Sequence, residues 1–159
     1  GLGLAALICP DPIQRRALRR VFDAYHVSAS NPFSVTAFIA AYRHGGPWLD
    51  ALRHYLEGNR DLALQFIAER LPGITAVRPA GTYLLWLACR GLGLDDAALR
   101  TFFIERTRLG LSPGTIFGTG GTGHMRLNLG SPRAVLMQAL EQVAAALDGR
   151  RGCPSGTPA

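Results

Sequence analysis

A long helical pattern in the middle of the chain limits the folds that this sequence can adopt. From Pro47 to Leu71, apolar residues recur at the spacing of one face of an α-helix. A helix of about 24 residues is about 36 Å long, which suits a link between two lobes better than a place inside one small core. Gly58 interrupts the pattern at a cost of about 1 kcal/mol relative to alanine.

Shorter elements are predicted on both sides of this helix. Before it lie an apolar stretch over 1–8 that predicts a short buried strand, a helix over 11–25, and a mostly apolar, buried helix over 33–44. After it, the predicted order is strand, strand, helix, strand, helix, which is a small α/β layer with helices covering the sheet. The stretch "TYLLWLACR" is almost continuously apolar, and we therefore expect a central strand there.

The glycines of "GTGGTGHMRLNLG", residues 118–130, form the densest motif in the chain. Gly118, Gly120 and Gly123 match the spacing of a dinucleotide-binding loop. In such a loop a strand precedes the glycines and a helix follows, so that the phosphate meets the helix N-terminus. Here a strand is predicted after the glycines, and the context contradicts nucleotide binding.

An arginine follows these glycines on the predicted strand. Arg126 and Asn128 share one face of "MRLNL", because side chains alternate along a strand, and they lie beside a loop with almost no side chains. A guanidinium binds a carboxylate through two parallel hydrogen bonds, worth about 1.5–3 kcal/mol. The spacing leaves two interpretations open: Arg126 binds a small anionic ligand, or it forms a structural ion pair with an Asp or Glu.

The basic residues of the chain are all arginines, 17 in number, and the sequence contains no lysine. Of the two basic side chains, only that of lysine has an amine that forms a Schiff base, so the chain by itself excludes lysine-dependent chemistry. The net charge of +6 makes nucleic-acid binding an alternative function. The arginines are dispersed, however, and their single cluster, over 15–20, lies on a predicted helix, so we expect no nucleic-acid partner.

The number and spacing of the cysteines indicate the redox compartment of the protein. Cys9, Cys89 and Cys153 are odd in number and lack metal-binding spacing, and the first two lie in apolar runs, which predicts buried thiols in a reducing cytoplasm. The apolar start over 1–8 is too short to span a bilayer and lacks a preceding basic region. We therefore expect a cytoplasmic protein with no signal peptide, no membrane partner and no metal site.

Four segments occur in a recognisable order: "YLEGNRD", "PAGTYLLWL", "LSPGTIFGTGGTGHMRLNLGSPR" and "ALEQVAAAL". Together they resemble the C-terminal part of the MalY/PatB-type C–S lyases, which are cystathionine β-lyase-like, pyridoxal 5'-phosphate (PLP)-dependent enzymes of the aminotransferase class I/II superfamily, fold type I. The resemblance covers about residues 1–147. It implies an α/β fold with the incomplete end of the large PLP-binding domain over 1–46, a linking helix and small C-terminal α/β domain over 47–149, and a disordered tail over 150–159.

The resemblance also implies a function for the full-length protein. In the family a lysine binds PLP, the amino-acid substrate displaces it, and the ring accepts electrons as the Cα proton leaves. β-Elimination from cystathionine or a related cysteine S-conjugate then yields a thiol, pyruvate and ammonia. The lysine lies in a stretch "SxSKTFNxAGL" that ends at Gly1-Leu2 in this register, so we expect it upstream of this chain, which alone is inactive. The full-length protein is expected to be a homodimer.

The resemblance assigns roles to individual residues. Arg126 matches the arginine of "GxxRxN" that binds the substrate α-carboxylate. Tyr83 lies on the strand expected beside that pocket, where it lines the substrate site or is a core aromatic. Asn31 matches a loop that approaches the neighbouring subunit's cofactor, with a helix N-cap as the alternative. Asn128 and Arg133 are interpreted as supports for the strand and for the turn into the last helix.

Two departures from the family pattern bear on the activity. Gly3 stands where transaminases of the superfamily usually have a phosphate-binding arginine, which favours the lyase branch. Ala88 stands where the family commonly has an acidic residue, which leaves the substrate preference open. Two alternatives stay open beside the lyase: an aminotransferase of the same superfamily, and a non-catalytic assembly module from a split or decayed gene.

Overall fold

The computed structural model describes residues 2–27 and 31–151. They form two compact units, of which the first ends at Leu52 and the second begins at Arg53. The first unit holds two helices and the start of a third, and their bounds are α1 Pro12–Ala24, α2 Pro32–His44 and α3 Gly46–Arg70. The long helix predicted from Pro47 is therefore present, and the boundary between the units lies within it.

Local capping explains where α1 begins. The Asp11 carboxylate accepts hydrogen bonds from the backbone N–H groups of Ile13 and Gln14, at 2.6 and 3.1 Å. Pro12 occupies the first helical position, where no intrahelical N–H is needed. The sequence pattern predicted this start correctly.

Two predictions for the first unit are wrong. Residues 2–8 form no strand, and Ile8 is 87% exposed. A strand needs a neighbour to pair with, and the described part of this unit contains none. Helix α2 is not a buried helix either, since Phe33 and Tyr42 are 74% and 80% exposed and Ser34 is its one buried residue. Burial of an apolar helix requires a covering surface, which the described residues of the unit do not supply. Cys9 is half-buried instead of buried.

The second unit is built on one antiparallel sheet of four strands in the order β1-β2-β4-β3. The strands are β1 Thr75–Ala76, β2 Leu84–Ala88, β3 Ser112–Pro113 and β4 His124–Asn128. Strand β2 is central, as its apolar run predicted. The remaining elements of the unit are α4 Asp96–Thr101, a π-helical turn Phe102–Arg106, α5 Arg133–Arg151, and 3₁₀ turns at Arg90–Leu92 and Gly114–Phe117.

Alternation along β2 and β4 gives the sheet two different faces. Leu85, Leu87, Met125 and Leu127 are buried and join a core to which α3, the π-helical turn and α5 also contribute. The intervening residues of both strands are half-buried or exposed and form the second face. Cys89 follows β2 into the core, where burial raises the pKa of its thiol to about 12, as expected for the buried cysteine that the sequence predicted.

Several elements are shorter or longer than their sequence patterns. The first predicted strand, "ITAVRP", is reduced to β1, and Pro79, which has no N–H to donate to a ladder, accounts only for the loss of its last position. The helix predicted over 93–108 changes to a π-helical turn after Thr101. Helix α5 continues to Arg151, so residues 150 and 151 are helical and not part of a disordered tail. The rest of that predicted tail lies outside the described residues, and the assignment of domains stays a prediction.

One buried amide on α3 connects the helix to the turn between β4 and α5. Asn59 is completely buried, and its Nδ2 donates to the carbonyl oxygens of Leu129 and Ser131 at 3.0 and 3.1 Å. Its Oδ1 accepts a hydrogen bond from Nε of Arg133 at 3.1 Å. A single side chain therefore joins the end of β4, the turn and the start of α5 to the long helix.

The neighbours of Asn59 on α3 complete this contact. The Tyr55 hydroxyl accepts a hydrogen bond from the backbone N–H of Arg133 at 2.7 Å, and the guanidinium carbon lies 5.2 Å from the Tyr55 ring centroid. A Cβ at Gly58 would lie 2.6 Å from Nη2 of Arg133. The glycine that weakens the helical pattern thus leaves room for Arg133, which agrees with the supporting role predicted for this arginine.

Replacing Asn59 with leucine keeps the side-chain volume close to native and removes all three hydrogen bonds. Because the carbonyls of Leu129 and Ser131 lose a buried donor, we expect the free energy of unfolding to fall by about 3 kcal/mol. Urea unfolding of the chain measures this loss. The control is Gln65→Leu on the exposed side of the same helix, expected to change stability by less than about 0.5 kcal/mol. Equal effects of the two variants would contradict the role of Asn59.

Candidate functional site

The candidate site is centred on Arg126, which lies in β4 on the second face of the sheet. Its side chain is half-buried, and Nη2 donates to Oγ of Ser112 on the neighbouring strand β3 at 3.2 Å. The guanidinium carbon lies over the Phe117 ring, 4.5 Å from its centroid. Within residues 2–27 and 31–151, no Asp or Glu forms an ion pair with Arg126. The structural ion pair considered from the sequence is therefore not observed, and the positive charge is uncompensated.

A cavity of about 390 Å³ lies beside this arginine. Arg126 is its one charged lining residue, and the other polar side chains that line it are those of Ser112, Asn128 and Ser131. Leucines and other apolar residues of the second unit form the rest of the wall. This volume is at the lower end of the range for small-molecule sites. Arg126 is thus the single positively charged residue beside a cavity whose other lining residues are uncharged, which fits one small anionic group.

Asn128 and Tyr83 shape the end of β4. The Asn128 Oδ1 accepts a hydrogen bond from the N–H of Gly130 at 2.7 Å, in agreement with the supporting role predicted for it. The Tyr83 carbonyl accepts one from the N–H of Leu129, also at 2.7 Å. The Tyr83 side chain is 50% exposed and lines a different cavity, of about 310 Å³, so it is neither a core aromatic nor part of the cavity beside Arg126. Its role as a substrate-binding residue stays a prediction.

Asn31 lies in the first unit and caps α2. Its Oδ1 accepts a hydrogen bond from the N–H of Phe33 at 2.9 Å, and Pro32 follows at the first helical position. This is the N-cap considered as the alternative for Asn31. A role in cofactor binding stays a prediction, and the structure does not bring it together with Arg126 or Tyr83 within one unit.

The glycine-rich loop does not have the geometry of a phosphate-binding loop. Strand β4 follows it, as the sequence predicted. The N–H of Gly123 donates to the Asp96 carboxylate at 2.8 Å. The N–H of Gly121 donates to the carbonyl of Gly118 within the loop, and that of Gly118 donates to the carbonyl of Thr115 in the preceding 3₁₀ turn. Gly118 and Gly123 adopt positive φ angles of 118° and 73°, which glycine accommodates at little steric cost. These glycines therefore turn the chain and satisfy their own donors.

A close backbone crossing explains two further glycines. A Cβ at Gly114 would collide with the carbonyl oxygen of Gly121, and a Cβ at Gly121 would collide with the carbonyl of Gly114. The 3₁₀ turn that begins at Gly114 is thus held directly against the loop before β4. This crossing places Phe117, the last residue of the turn, over Arg126.

An aromatic row extends along the second face of the sheet. Trp86 lies opposite Arg126 in the β2–β4 register. Its ring meets the Phe117 ring edge-on at 5.7 Å and stacks on His124 at 5.5 Å. No motif or spacing in the sequence identified Trp86, Phe117 or Ser112 as site residues. Side-chain alternation along β2 could have predicted that Trp86 lies on this face. Phe117 lies in a turn and Ser112 in a two-residue strand, and neither segment is long enough to show a periodic pattern.

Side-chain chemistry limits how the described residues could bind a metal or PLP. Between residues 2–27 and 31–151, no group of three or more His, Cys, Asp or Glu side chains is placed to bind a metal ion. The chain has no lysine for a Schiff base, and the loop that matches a phosphate motif donates inward, to the protein. In the same part of the chain, no helix combines the length and hydropathy needed to cross a membrane.

Comparison with known proteins supports this fold. No protein-family model matches the chain. The structure superposes on cystalysin of Treponema denticola, a protein that contains pyridoxal 5'-phosphate, with a TM-score of 0.86 and 30% identity over 90% of this chain. The fold is therefore that of the C-terminal part of a PLP-dependent fold type I protein, as the resemblance implied.

Two curated relatives give the family. The chain is 40% identical over 147 residues, 92% of its length, to cystathionine β-lyase PatB of Bacillus subtilis (strain 168). It is 42% identical over 114 residues, 69% of its length, to protein MalY of Escherichia coli (strain K12). The chain belongs to the MalY/PatB-type family of the aminotransferase class I/II superfamily. It spans 38% of the length of PatB, 28% of MalY and 36% of the cystalysin chain.

Adding a methyl group at Gly121 tests the backbone crossing. Because the new Cβ would meet the Gly114 carbonyl, we expect Gly121→Ala to lower the free energy of unfolding by about 1–3 kcal/mol, as overpacked positions do. Gly120→Ala is the matched control, since a Cβ there has no atom within 4 Å and φ is not positive. Urea unfolding of both variants measures the difference. If Gly120→Ala destabilises the chain as much as Gly121→Ala does, the crossing is not what constrains this loop.

Proposed function

We propose that this chain is the substrate-carboxylate-binding, C-terminal portion of a PLP-dependent carbon–sulfur lyase. The full-length enzyme cleaves cystathionine or related cysteine S-conjugates by β-elimination to a thiol, pyruvate and ammonia. The observation that carries the proposal is that Arg126 lines a small cavity while no Asp or Glu of the described residues pairs with its guanidinium. The relationship to PatB and MalY supports the same reaction class.

The contribution of this chain is to bind and orient the substrate. Arg126 binds the α-carboxylate through its free N–H groups, while Ser112 fixes one edge of the guanidinium. Holding the carboxylate limits rotation about the bond to Cα, so that the Cα–H bond keeps one direction relative to the cofactor. PLP, when bound by the full-length protein, supplies the electron sink for loss of that proton.

Two further residues are proposed to contribute in the full-length protein. Tyr83, one residue before β2, is proposed to line the substrate site of the full-length protein, and in this chain its half-exposed side chain lines the cavity of about 310 Å³. Asn31 lies at the entrance of α2 and approaches the cofactor of the neighbouring subunit. These roles rest on the family relationship, and they accompany the proposal that the full-length enzyme is a homodimer in the cytoplasm, with no nucleic-acid or membrane partner.

The absence of lysine from the chain leads to a direct test. Adding PLP to the purified 159-residue chain is expected to give neither the visible absorbance of a lysine-bound cofactor nor pyruvate from cystathionine. The full-length protein that carries the chain is expected to give both. Pyruvate release without this absorbance band in the full-length protein would contradict PLP-dependent elimination.

The same assays separate the alternative functions. Amino transfer to a 2-oxo acid by the full-length protein, without thiol release, would replace the lyase with an aminotransferase. Neither activity, together with association of the chain into oligomers that bind no PLP, would favour a non-catalytic assembly module. A steep decrease of nucleic-acid affinity with salt would indicate binding driven by the arginines.

Replacing Arg126 with glutamine in the full-length enzyme tests the carboxylate contact. We expect KM for the amino-acid substrate to rise about 10- to 100-fold, which corresponds to losing a charge-assisted contact of about 1.5–3 kcal/mol. Arg100→Gln removes the same charge from an exposed position on α4 and is expected to leave KM within about two-fold. A substrate amine without the carboxylate should be used equally poorly by native and Arg126→Gln enzymes. If the Arg126→Gln enzyme still prefers the carboxylate-bearing substrate over this amine as strongly as the native enzyme does, the carboxylate is bound by another residue.

A further inference from the structure

We propose that Phe117 is a positioning residue for substrate binding: its ring holds the Arg126 guanidinium in place and leaves the N–H donors free for a carboxylate. The inference rests on the proposed function of Arg126. It concerns a residue outside β4, at the end of the 3₁₀ turn Gly114–Phe117. A residue with this role affects substrate binding through Arg126, without touching the reacting atoms.

The geometry of the contact supports this role. The guanidinium carbon lies 4.5 Å from the centroid of the Phe117 ring, within the distance at which a cation is attracted to an aromatic face. The Arg126 side chain has five N–H donors, of which the structure uses one, to Ser112. An aromatic face stabilises the positive charge without accepting any of the remaining N–H groups in a strong hydrogen bond.

An acidic partner would hold the same arginine differently. An Asp or Glu would accept two of its N–H groups and neutralise its charge, which would compete directly with a substrate carboxylate. No such partner contacts Arg126 in the described part of the chain. The ring therefore meets two requirements together: it restricts the long, flexible side chain and keeps the charge available.

Phe117 is itself held from two sides. Backbone contact between Gly114 and Gly121 fixes the turn that carries it. Trp86, opposite Arg126 in the sheet, meets its ring edge-on at 5.7 Å with an interplanar angle of 69°, a favourable arrangement for two aromatic rings. A ring fixed in this way orders the guanidinium before substrate arrives, so less conformational entropy is lost on binding.

The test is Phe117→Leu in the PLP-loaded full-length enzyme. Leucine keeps an apolar side chain but has no π face, and we expect KM for the amino-acid substrate to rise about five-fold with kcat within about two-fold. A second readout is independent of turnover. An α-methyl analogue of S-methylcysteine has no Cα hydrogen to lose, and its dissociation constant, from the change in visible absorbance of the cofactor, should rise by the same factor.

Three comparisons make the result specific. Phe117→Tyr keeps the aromatic face and should restore both constants to within about two-fold of native. Ile116→Leu, in the same turn and 66% exposed, should change neither. A substrate amine without a carboxylate should be used equally by native and Phe117→Leu enzymes. Phe117→Met serves in place of leucine if that variant does not fold, with the same expected loss.

The outcomes separate this inference from the proposed function. If Arg126→Gln weakens binding of the α-methyl analogue and Phe117→Leu does not, the positioning role is wrong and the carboxylate contact stands. If Arg126→Gln leaves that affinity unchanged, the carboxylate contact itself is wrong. If Phe117→Tyr is as weak as Phe117→Leu, the π face is not the source of the effect and the inference fails.

Discussion

The second unit depends on one buried amide. Asn59 satisfies two carbonyls of the turn after β4 and the Nε of Arg133 with a single side chain that is completely buried. Buried polar groups without partners are costly, so these hydrogen bonds favour the arrangement in which the long helix, the strand end and α5 meet around this residue. The strand that carries Arg126 is thereby attached to the longest helix of the chain.

This attachment explains why polar residues and a glycine lie within a helix that otherwise packs through apolar side chains. Arg133 is contacted by three residues of this helix. Tyr55 accepts a hydrogen bond from its backbone N–H, Gly58 leaves space for its guanidinium, and Asn59 accepts a hydrogen bond from its Nε. The helix propensity lost at Gly58 is offset by a contact between residues more than 70 positions apart in sequence. Helical periodicity alone shows only the helix propensity lost at Gly58, because it describes a helix without the residues that pack against it.

The sequence predicted those parts of the fold that a local pattern determines. Strand β2 was marked by its apolar run, β4 by its alternation, and the position of Arg126 on the face opposite the core followed from that alternation. The strand predicted over 1–8 does not form in the described residues 2–8, and the predicted burial of α2 was wrong, because both depend on a partner surface and not on the segment itself. The apolar content of a segment indicates that its surface tends to be buried. Only the tertiary structure shows whether another part of the protein buries it.

The candidate site was predictable to the same extent. The arginine was identified from its strand and its neighbours, whereas its two supports were not, because Phe117 and Ser112 lie in a single turn and a two-residue strand. The side chains of Phe117 and Ser112 also show how the Arg126 guanidinium is held in the sheet while its charge stays available to bind an anion. A hydroxyl and an aromatic ring stabilise a guanidinium without neutralising it, whereas a carboxylate would stabilise it more strongly and occupy its donors. Weaker contacts are thus the ones compatible with binding an anion, and the absence of an acidic neighbour in the described residues is as much a part of the site as the arginine itself.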